Sequence, residues 1–267
     1  MTNTQTRPLA VVTGASSGIG YELAKQFAHN GFDLLVTATG SNIDQLAKDF
    51  SKLGASVETV QADLADYEGV ETLYSKIQAM DRPVDANAIN AGVGLGGDFA
   101  RETDLKDELN LINLNVISPV HLAKRVVKDM VKRGEGRILF TSSIAALMPG
   151  PFEAVYAASK AFLRSFSEAI RNELKDTGVT VTALMPGPTE TNFFHQAGMD
   201  DTQVGTNQKD DPADVAKQGF EALMAGKGDI IAGSLKTKVQ GNIAKVLPEH
   251  AKAEFHRKLT EPGSGNK

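Results

Sequence analysis

The sequence contains no cysteine and no tryptophan. Without cysteine the chain can form no disulfide bond, no thiolate nucleophile and no zinc site with sulfur ligands. Its five histidines are scattered, and none belongs to the His-Glu-x-x-His pattern that places two imidazoles on one helix face. We therefore predict that the protein has no metal site.

Long hydrophobic runs are also missing. No apolar stretch approaches the roughly 18 residues that a membrane-spanning helix needs, and the polar segment 1–8 lacks the apolar core of a secretory signal. The 28 basic and 33 acidic residues give a net charge of -5, and neither sign forms a long block. The prediction is a cytoplasmic protein with no membrane and no nucleic-acid partner.

Short apolar runs recur along the chain and predict the strands of one sheet. They cover residues 9–13, 34–37, 57–61, 84–89, 137–141, 179–184 and 229–232. Most are apolar throughout rather than alternating, so the sheet is expected to be covered on both faces. Stretches with helical spacing separate the runs, which predicts an α/β fold: a single-domain Rossmann-type, doubly wound parallel sheet with helices on both faces. One strand carries Asn87, whose amide would need buried hydrogen-bond partners.

No linker, repeat or low-complexity block divides the chain. We therefore predict one domain over residues 9–260, with a flexible N-terminus at 1–8 and a flexible tail at 261–267. The polar stretch 189–211 precedes the helix that Pro212 is expected to open. Long irregular segments of this kind often cover binding sites, so this stretch is predicted to be a substrate lid.

The first strand leads into a glycine-rich turn and then into a segment with helical spacing. The turn reads Gly14-Ala15-Ser16-Ser17-Gly18-Ile19-Gly20. Glycines let the backbone approach a pyrophosphate, and the free amide N–H groups at the positive end of the helix dipole can bind it. A glycine-rich turn without a ligand is the alternative. The preceding strand and the following helix favour a dinucleotide site.

The spacing Thr13-Gly-x-x-x-Gly-x-Gly resembles the nucleotide loop of the classical short-chain dehydrogenases/reductases. Further motifs of that family follow in the expected order: Asn90-Ala91-Gly92 after the fourth strand, Ser143 thirteen residues before Tyr156-x-x-x-Lys160, and Pro186-Gly187 after the sixth strand. The similarity extends from about residue 9 to residue 232 and is weakest over the last thirty or so residues. The family's fold is the one that the strand pattern predicts.

Tyr156 and Lys160 lie four residues apart on a stretch with helical spacing, 154–174, and therefore share one helix face. A neighbouring ammonium favours the phenolate, so we expect Lys160 to lower the pKa of Tyr156 and make it a usable general acid and base. Ser143 closes a strand and should face the crevice beyond the sheet, where it can hold a substrate carbonyl oxygen. Ser142 on the same turn is the alternative, and the resemblance selects Ser143.

The resemblance also places the family's proton-relay asparagine at Asn115, whose backbone carbonyl would hold a water behind Lys160. Asn110 and Asn113 are nearby competitors, and the sequence alone does not choose among the three. Pro119, one turn later, predicts a break in the regular helix that frees main-chain carbonyls.

The resemblance implies a carbonyl reduction or its reverse. Ser143 would orient the carbonyl, the nicotinamide would deliver hydride, and Tyr156 would give a proton to the oxygen. Lys160 would also bond the nicotinamide ribose. The other cofactor-binding residues it implies are Gly14, Ser16, Ser17, Gly18, Ile19, Gly20, Thr39, Asp63 and Leu64 at the adenine, Asn90, Ala91, Gly92, Pro186, Gly187, and Thr189 and Thr191 at the carboxamide.

The residues after the second predicted strand indicate which cofactor is bound. An acid about 20 residues after the glycines would bond the adenosine ribose and select NAD. Residues 37–42 read Thr-Ala-Thr-Gly-Ser-Asn, with no acid before Asp44, which favours NADP over NAD. NADP-dependent members of the family commonly have an arginine where Thr39 stands. Here hydroxyls and backbone amides would have to hold the phosphate.

Apolar segments 147–152 and 192–195 are expected to wall the substrate pocket, which indicates a ketone, aldehyde or secondary alcohol with a hydrophobic body. Alternatively, Phe193 and Phe194 pack within the lid, and His195 is expected at the surface. By analogy with the family, the protein is predicted to be a homodimer or homotetramer assembled through the long helices at about 105–131 and 154–174.

Two other functions compete with the reductase. A catalytically silent NAD(P)-binding regulatory protein would keep the fold, but it would not need the Ser143, Tyr156 and Lys160 set. An epimerase or dehydratase of the extended relatives would need a larger carboxyl-terminal domain than the residues after 232 provide.

Overall fold

The computed structural model describes residues 7–40 and 43–266. Seven strands form one parallel sheet: β1 (Leu9–Thr13), β2 (Asp33–Ala38), β3 (Val57–Gln61), β4 (Ala86–Ile89), β5 (Gly136–Thr141), β6 (Val179–Pro186) and β7 (Asp229–Ala232). Their order is β3-β2-β1-β4-β5-β6-β7. The chain winds outward from β1 in one direction and from β4 in the other, which opens a crevice at their carboxyl ends. The predicted fold class is confirmed.

Helices cover both faces of the sheet. They are α1 (Gly18–His29), α2 (Ile43–Ser51), α3 (Tyr67–Ala79), α4 (Leu105–Ile112), α5 (Ser118–Arg133), α6 (Ala154–Glu173), α7 (Phe193–Gln196), α8 (Gln203–Thr206), α9 (Pro212–Met224), α10 (Leu235–Ala244) and α11 (Glu249–Thr260). The side chains of β1 are apolar on both faces of the sheet, and each face needs a covering layer of helices. Ala10 and Val12 join the core under α1 and α9, whereas Leu9 and Val11 join the core under α3, α5 and α6. Among the helices that the structure describes, none is long and apolar enough to cross a bilayer.

Asn87 differs from the expectation drawn from the sequence. It is completely buried in β4, and within the described residues neither its Nδ2 nor its Oδ1 has a hydrogen-bond partner. Its neighbours in register, Val11 and Ile138, belong to the apolar core on the side of α3, α5 and α6. The expected buried partners are therefore not found, and the amide is surrounded by apolar side chains.

The predicted break near Pro119 is confirmed. α4 ends at Ile112, the next five residues form a wider π-helical turn (Asn113–Ile117), and α5 begins with Pro119 in its first turn. Proline has no backbone N–H to donate and is tolerated in the first turn of a helix, so it fits the start of a new helix after the irregular turn.

The described residues at the two chain ends make hydrogen bonds to the domain, and the flexibility of segments 1–8 and 261–267 stays a prediction. Arg7 donates to the carbonyl oxygen of Gly31 at 3.0 Å and lies 3.4 Å from the carboxylate of Asp33. At the other end, Ser264 Oγ accepts from the backbone N–H of Gln203 at 2.9 Å. Further hydrogen bonds run from Asp33 N to Pro8 O, from Gly265 N to Asp201 O and from Gly263 N to Asp201 Oδ2. Residues 1–6 and 267 lie outside the described residues.

Candidate active site

A cavity of about 530 Å³ lies at the carboxyl ends of the strands. It brings together residues that are far apart in the sequence. Its walls include all the cofactor-binding residues predicted above and three of the four predicted catalytic residues: Gly14, Ser16, Ser17, Gly18, Ile19, Gly20, Thr39, Asp63, Leu64, Asn90, Ala91, Gly92, Ser143, Tyr156, Lys160, Pro186, Gly187, Thr189 and Thr191. Asn115 is the predicted residue that does not border the cavity.

The glycine turn has the tight backbone that a nucleotide loop requires. Gly14 and Gly18 have φ angles of 65° and 55°, a conformation that favours glycine. A Cβ on Gly18 would lie 2.8 Å from Thr191 Cγ2, and one on Gly20 would lie 2.1 Å from the carbonyl oxygen of Gly14. The side chain of Ser17 does not cap α1. The first-turn amides of α1 are thus not capped by Ser17, and Gly18, Ile19 and Gly20 border the cavity, so this end of the cavity fits a pyrophosphate.

A hydrogen-bond network ties the ends of β1, β4 and β5 together beneath the cavity. The hydroxyl of Thr13 accepts from the backbone N–H groups of Asn90 and Ala91 at 2.9 and 3.0 Å. Thr141 donates to Asn90 Oδ1 at 3.0 Å. The side chain of Asn90 is thus used within the protein, and it shapes the cavity by fixing the segment that follows β4. No sequence pattern indicates these supporting roles of Thr13 and Thr141, because they depend on contacts between strands that are distant in the sequence.

The structure distinguishes the two candidate serines. The hydroxyl of Ser142 is buried and donates to the carbonyl oxygen of Lys160 at 2.8 Å, which fastens α6 to the end of β5. Ser143 is half-buried at the cavity wall, and its Oγ accepts from the backbone N–H of Ala145 at 3.1 Å. The Ser143 hydroxyl lies close enough to Tyr156 to affect its phenol and can donate to a substrate oxygen there, which supports the choice of Ser143.

Tyr156 and Lys160 lie side by side on α6, as the spacing predicts. Lys160 Nζ is 5.7 Å from the centre of the Tyr156 ring and donates to the carbonyl oxygen of Thr141 at 3.0 Å. Both side chains are almost completely buried. The ammonium is consequently held at a fixed position below the phenol rather than in solvent.

Burial controls the proton affinities of this pair. Burial raises the pKa of Tyr156 well above its ordinary value, the charge of Glu153 raises it further, and hydrogen bonding with Ser143 lowers it. Burial lowers the pKa of Lys160 to about 8. Lys160 is not among the groups that shift the pKa of Tyr156 in this structure, so the expectation that it lowers this pKa is not met here.

Asn115 lies behind the cavity wall, in the π-helical turn. Its side chain accepts from Val93 N at 3.0 Å, donates to Val93 O at 2.9 Å, and donates to Ser159 Oγ at 3.2 Å. Asn115 is fully buried, whereas Asn110 is exposed and Asn113 is half-buried. Of the three candidates, Asn115 thus links the segment after β4 to α6, and the relay role assigned to it stays a prediction.

The part of the cavity predicted to bind adenosine includes Asp63, whereas no acid follows β2 before Asp44 in the sequence. Thr39, which follows β2, is exposed at the cavity rim, and its carbonyl oxygen accepts from Gln61 Nε2 at 2.9 Å. Asp63 after β3 uses its Oδ1 to accept from the backbone N–H of Ala65 at 2.9 Å. Ser41 and Asn42, the other predicted phosphate contacts, lie outside the described residues.

The substrate end has aromatic walls. The cavity is bordered by Met148, Phe193 and Phe194. The ring centroids of Phe193 and Tyr156 are 5.3 Å apart. The predicted lid stretch contains α7 and α8, and Phe193 and Phe194 belong to α7. As expected, His195 is at the surface, with its side chain 73% exposed and 2.7 Å from Asp200.

Sequence reasoning missed the contribution of α11. Four of its residues border the cavity: Phe255, His256, Leu259 and Thr260. Glu153, which precedes α6, was also missed and lies beside His256. The spacing of the four residues on one helix face was a signal, but nothing in the sequence shows which part of the domain that face meets.

This sheet, its glycine turn and the Ser143, Tyr156 and Lys160 set are those of an NAD(P)-binding oxidoreductase. Comparison with known proteins defines the family. The family model of the short chain dehydrogenases matches residues 8–202. The chain therefore belongs to the short-chain dehydrogenase/reductase family, enzymes that act on CH–OH groups with NAD(P).

Similarity to individual proteins supports this assignment to the family. The 3-oxoacyl-[acyl-carrier-protein] reductase FabG of Escherichia coli (strain K12) is 35% identical over 198 residues, 74% of this chain and 79% of that protein. The NADP-dependent 3-hydroxy acid dehydrogenase YdfG of Salmonella typhi is 33% identical over 179 residues, 67% and 71% of the two chains. The structure also superposes on a short-chain dehydrogenase from Sphingobium yanoikuyae in complex with NADPH, with a TM-score of 0.78, 29% identity and coverage of 84% and 87%.

Proposed function

We propose that the protein reduces a ketone or aldehyde to an alcohol, with NADPH favoured as the cofactor. One observation carries the proposal: Ser143, Tyr156 and Lys160 meet in the cavity that the glycine turn opens. A silent regulatory protein would need the glycine turn but not these three side chains. No observation on the described residues favours that alternative.

The chain's own residues would divide the reaction as follows. A bound nicotinamide cofactor supplies the hydride. Ser143 donates to the carbonyl oxygen and holds it beside the phenol. Tyr156 has a raised pKa, so it is protonated at neutral pH and can donate its proton to that oxygen. Lys160, with a pKa of about 8, is mostly charged at neutral pH and stabilises the phenolate that remains.

The proposed preference for NADPH rests on the end of β2. No carboxylate follows Ala38 to repel a 2′-phosphate, and the hydroxyl groups of Ser16, Ser17 and Thr39 border the same part of the cavity. The YdfG relative is named NADP-dependent, and the Sphingobium neighbour holds NADPH. Family members bind NADP or NAD, so the choice needs a direct test.

We further propose a homodimer or homotetramer, in which α4, the π-helical turn and α6 meet a second copy. Apolar side chains on this face are exposed in the single chain, among them Leu105, Leu109, Ile117 and Phe162. The cytoplasmic location also stays a prediction.

Replacing Tyr156 tests the reductase. We expect Tyr156→Phe to bind NADPH within about twofold of the wild type but to lose at least about a hundredfold in turnover, since general acid catalysis contributes roughly 10²–10⁴-fold. Fluorescence titration with NADPH and NADH measures binding, and a panel of ketones and aldehydes measures turnover. Tighter binding of NADPH than of NADH is expected.

Tyr67→Phe is the matched control, because it removes the same hydroxyl from an exposed tyrosine on α3 that does not border the cavity. Its turnover should equal that of the wild type. Full activity of Tyr156→Phe would contradict the assigned proton donor. Failure to bind either cofactor would contradict the whole proposal.

A further inference from the structure

A carboxylate and an imidazole meet inside the cavity beside the reaction centre. Glu153 lies three residues before Tyr156, and His256 comes from α11. Glu153 Oε2 and His256 Nε2 are 3.1 Å apart. The two residues are only 5% and 6% exposed, and both border the cavity. The proposed proton transfer uses neither of them, although burying a charged side chain is costly unless it is paired.

The structure holds this pair firmly. The backbone N–H of Glu153 donates to Gly150 O at 3.0 Å, and the hydroxyl of Thr260 donates to Pro151 O at 2.8 Å, which docks α11 on the loop before α6. A Cβ on Gly150 would lie 3.3 Å from His256 Nε2, so the loop and α11 are in close contact. The pair therefore has a fixed geometry.

The pair has unused hydrogen-bonding capacity. Within the described part of the chain, neither Glu153 Oε1 nor His256 Nδ1 makes a hydrogen bond, and neither atom is completely sealed from solvent. A carboxylate oxygen accepts from a hydroxyl, amide or ammonium group. A ligand group in the cavity can therefore bond to Glu153 without breaking its contact with His256.

Basic side chains are scarce around the cavity. In the part of the chain that the structure describes, Lys160 is the only lysine or arginine that borders the cavity, and it belongs to the reaction centre. The negative charge of Glu153 is felt at the phenol of Tyr156. The substrate end thus holds a buried carboxylate and apolar walls, with no arginine or second lysine to bind an acidic group of a substrate.

We propose that Glu153 and His256 form a specificity subsite that binds a hydroxyl group of a neutral carbonyl substrate and excludes substrates carrying a carboxylate. This inference rests on the proposed reductase function. Glu153 accepts from the substrate hydroxyl through Oε1. His256 is a positioning residue, which orients the carboxylate through the contact between its Nε2 and Glu153 Oε2. Like charges repel strongly in a buried site, so an acidic substrate loses affinity while a hydroxyl gains a bond.

The test compares methyl ketones of equal chain length that end in a hydroxyl, a methyl or a carboxylate group. With NADPH, the wild type should favour the hydroxyketone over the keto acid by at least about tenfold in kcat/KM. Glu153→Gln keeps the shape of the side chain but removes its charge. It should reduce this preference to about threefold or less, chiefly by improving the keto acid.

Glu190→Gln is the control for a general charge effect. Glu190 lies between β6 and α7, is exposed, pairs with Lys209 and does not border the cavity. This variant should keep the wild-type preference. The proposal would be overturned if the wild type showed no preference for the hydroxyketone over the keto acid. It would also be overturned if Glu153→Gln and Glu190→Gln changed this preference equally.

Two variants of His256 test its positioning role. His256→Gln keeps a donor to the carboxylate and should retain the preference for the hydroxyketone. His256→Leu removes the contact that orients the carboxylate, so this variant should lose the preference as Glu153→Gln does. NADPH binding should be unchanged in both variants, which shows that they fold. The idea fails if His256→Leu keeps the full preference while binding NADPH normally.

Binding in the absence of turnover separates this subsite from the reductase function. The NADPH complex of Tyr156→Phe allows the Kd of each ketone to be measured by thermal shift. Tyr156→Phe should bind the hydroxyketone more tightly than the keto acid, as the wild type is expected to. The double variant Tyr156→Phe/Glu153→Gln should lose this preference. A preference in binding without any wild-type turnover would support the subsite and contradict the reductase. Turnover without a preference for the hydroxyketone would support the reductase and contradict the subsite.

Discussion

Two buried polar residues show different relations to function. Lys160 borders the cavity, and its Nζ donates to Thr141 O, so its burial serves the reaction centre. Asn87 is fully buried in β4, does not border the cavity, and has no hydrogen-bond partner within the described residues. A buried polar group without a partner costs about 1–3 kcal/mol. Asn87 therefore lowers the stability of the fold and does not contribute to the walls of the cavity.

Asn87→Val should raise the free energy of unfolding by about 1–3 kcal/mol, because it removes the unpaired amide and places a β-branched side chain in a strand. Urea denaturation measures the change, and NADPH binding should be unaffected. Asn87→Asp is the control of opposite sign, since it places a charge in the same apolar surroundings. A destabilised Asn87→Val would mean that the amide makes a bond in solution that stabilises the fold.

At the level of elements, α11 connects the substrate end of the cavity to the rest of the domain. Thr260 is the last residue of α11, and its hydroxyl lies 2.8 Å from Pro151 O in the loop before α6. The same helix places Phe255 and Leu259 on the cavity wall. Loosening this contact should disturb substrate binding more than cofactor binding, since the glycine turn lies at the other end.

Thr260→Val removes the hydroxyl at nearly constant volume. We expect a loss of about 1 kcal/mol in the free energy of unfolding and a higher KM for the ketone, with the Kd of NADPH unchanged. Thr72→Val is the matched control, because Thr72 donates in a similar way to Glu68 O at 2.8 Å on the exposed side of α3. Equal effects of both variants on KM would contradict a special role of α11.

The sequence predicts the elements that repeat a simple pattern and misses those defined by tertiary contact. Apolar runs locate all seven strands, with boundaries that differ by at most two residues. The signal is clearest for strands such as β1, β2 and β4, because burial on both faces makes them apolar throughout. The glycine turn and Tyr156-x-x-x-Lys160 are local patterns and were equally visible. Glu153 and His256 are 103 residues apart, so only the folded chain shows that they meet. The pKa of Tyr156 likewise depends on burial, which spacing does not report.

On the scale of the whole molecule, exposed apolar side chains lie on α4, the π-helical turn and α6, and a second set, Leu235, Val239 and Ile243, lies on α10. α4 and α6 lie next to each other, and Leu109 and Phe162 on them are 50% and 39% exposed. In an assembly with two-fold symmetry each such side chain occurs twice in one interface, so a single substitution acts twice. A charge placed there would be buried twice, without a partner of opposite sign.

Light scattering after gel filtration should therefore give a mass of two or four times 28.4 kDa for the wild type. Leu109→Lys/Phe162→Lys should reduce a dimer to the mass of one chain, or a tetramer to the mass of two chains. Leu235→Lys is the control, because Leu235 on α10 is even more exposed, at 78%, but lies away from that face. It should leave the assembly intact, since an apolar side chain that stays in solvent loses nothing when it is charged. A monomeric wild type would show that the apolar face of α4 and α6 has another use. Dissociation by Leu235→Lys instead would move the interface to α10.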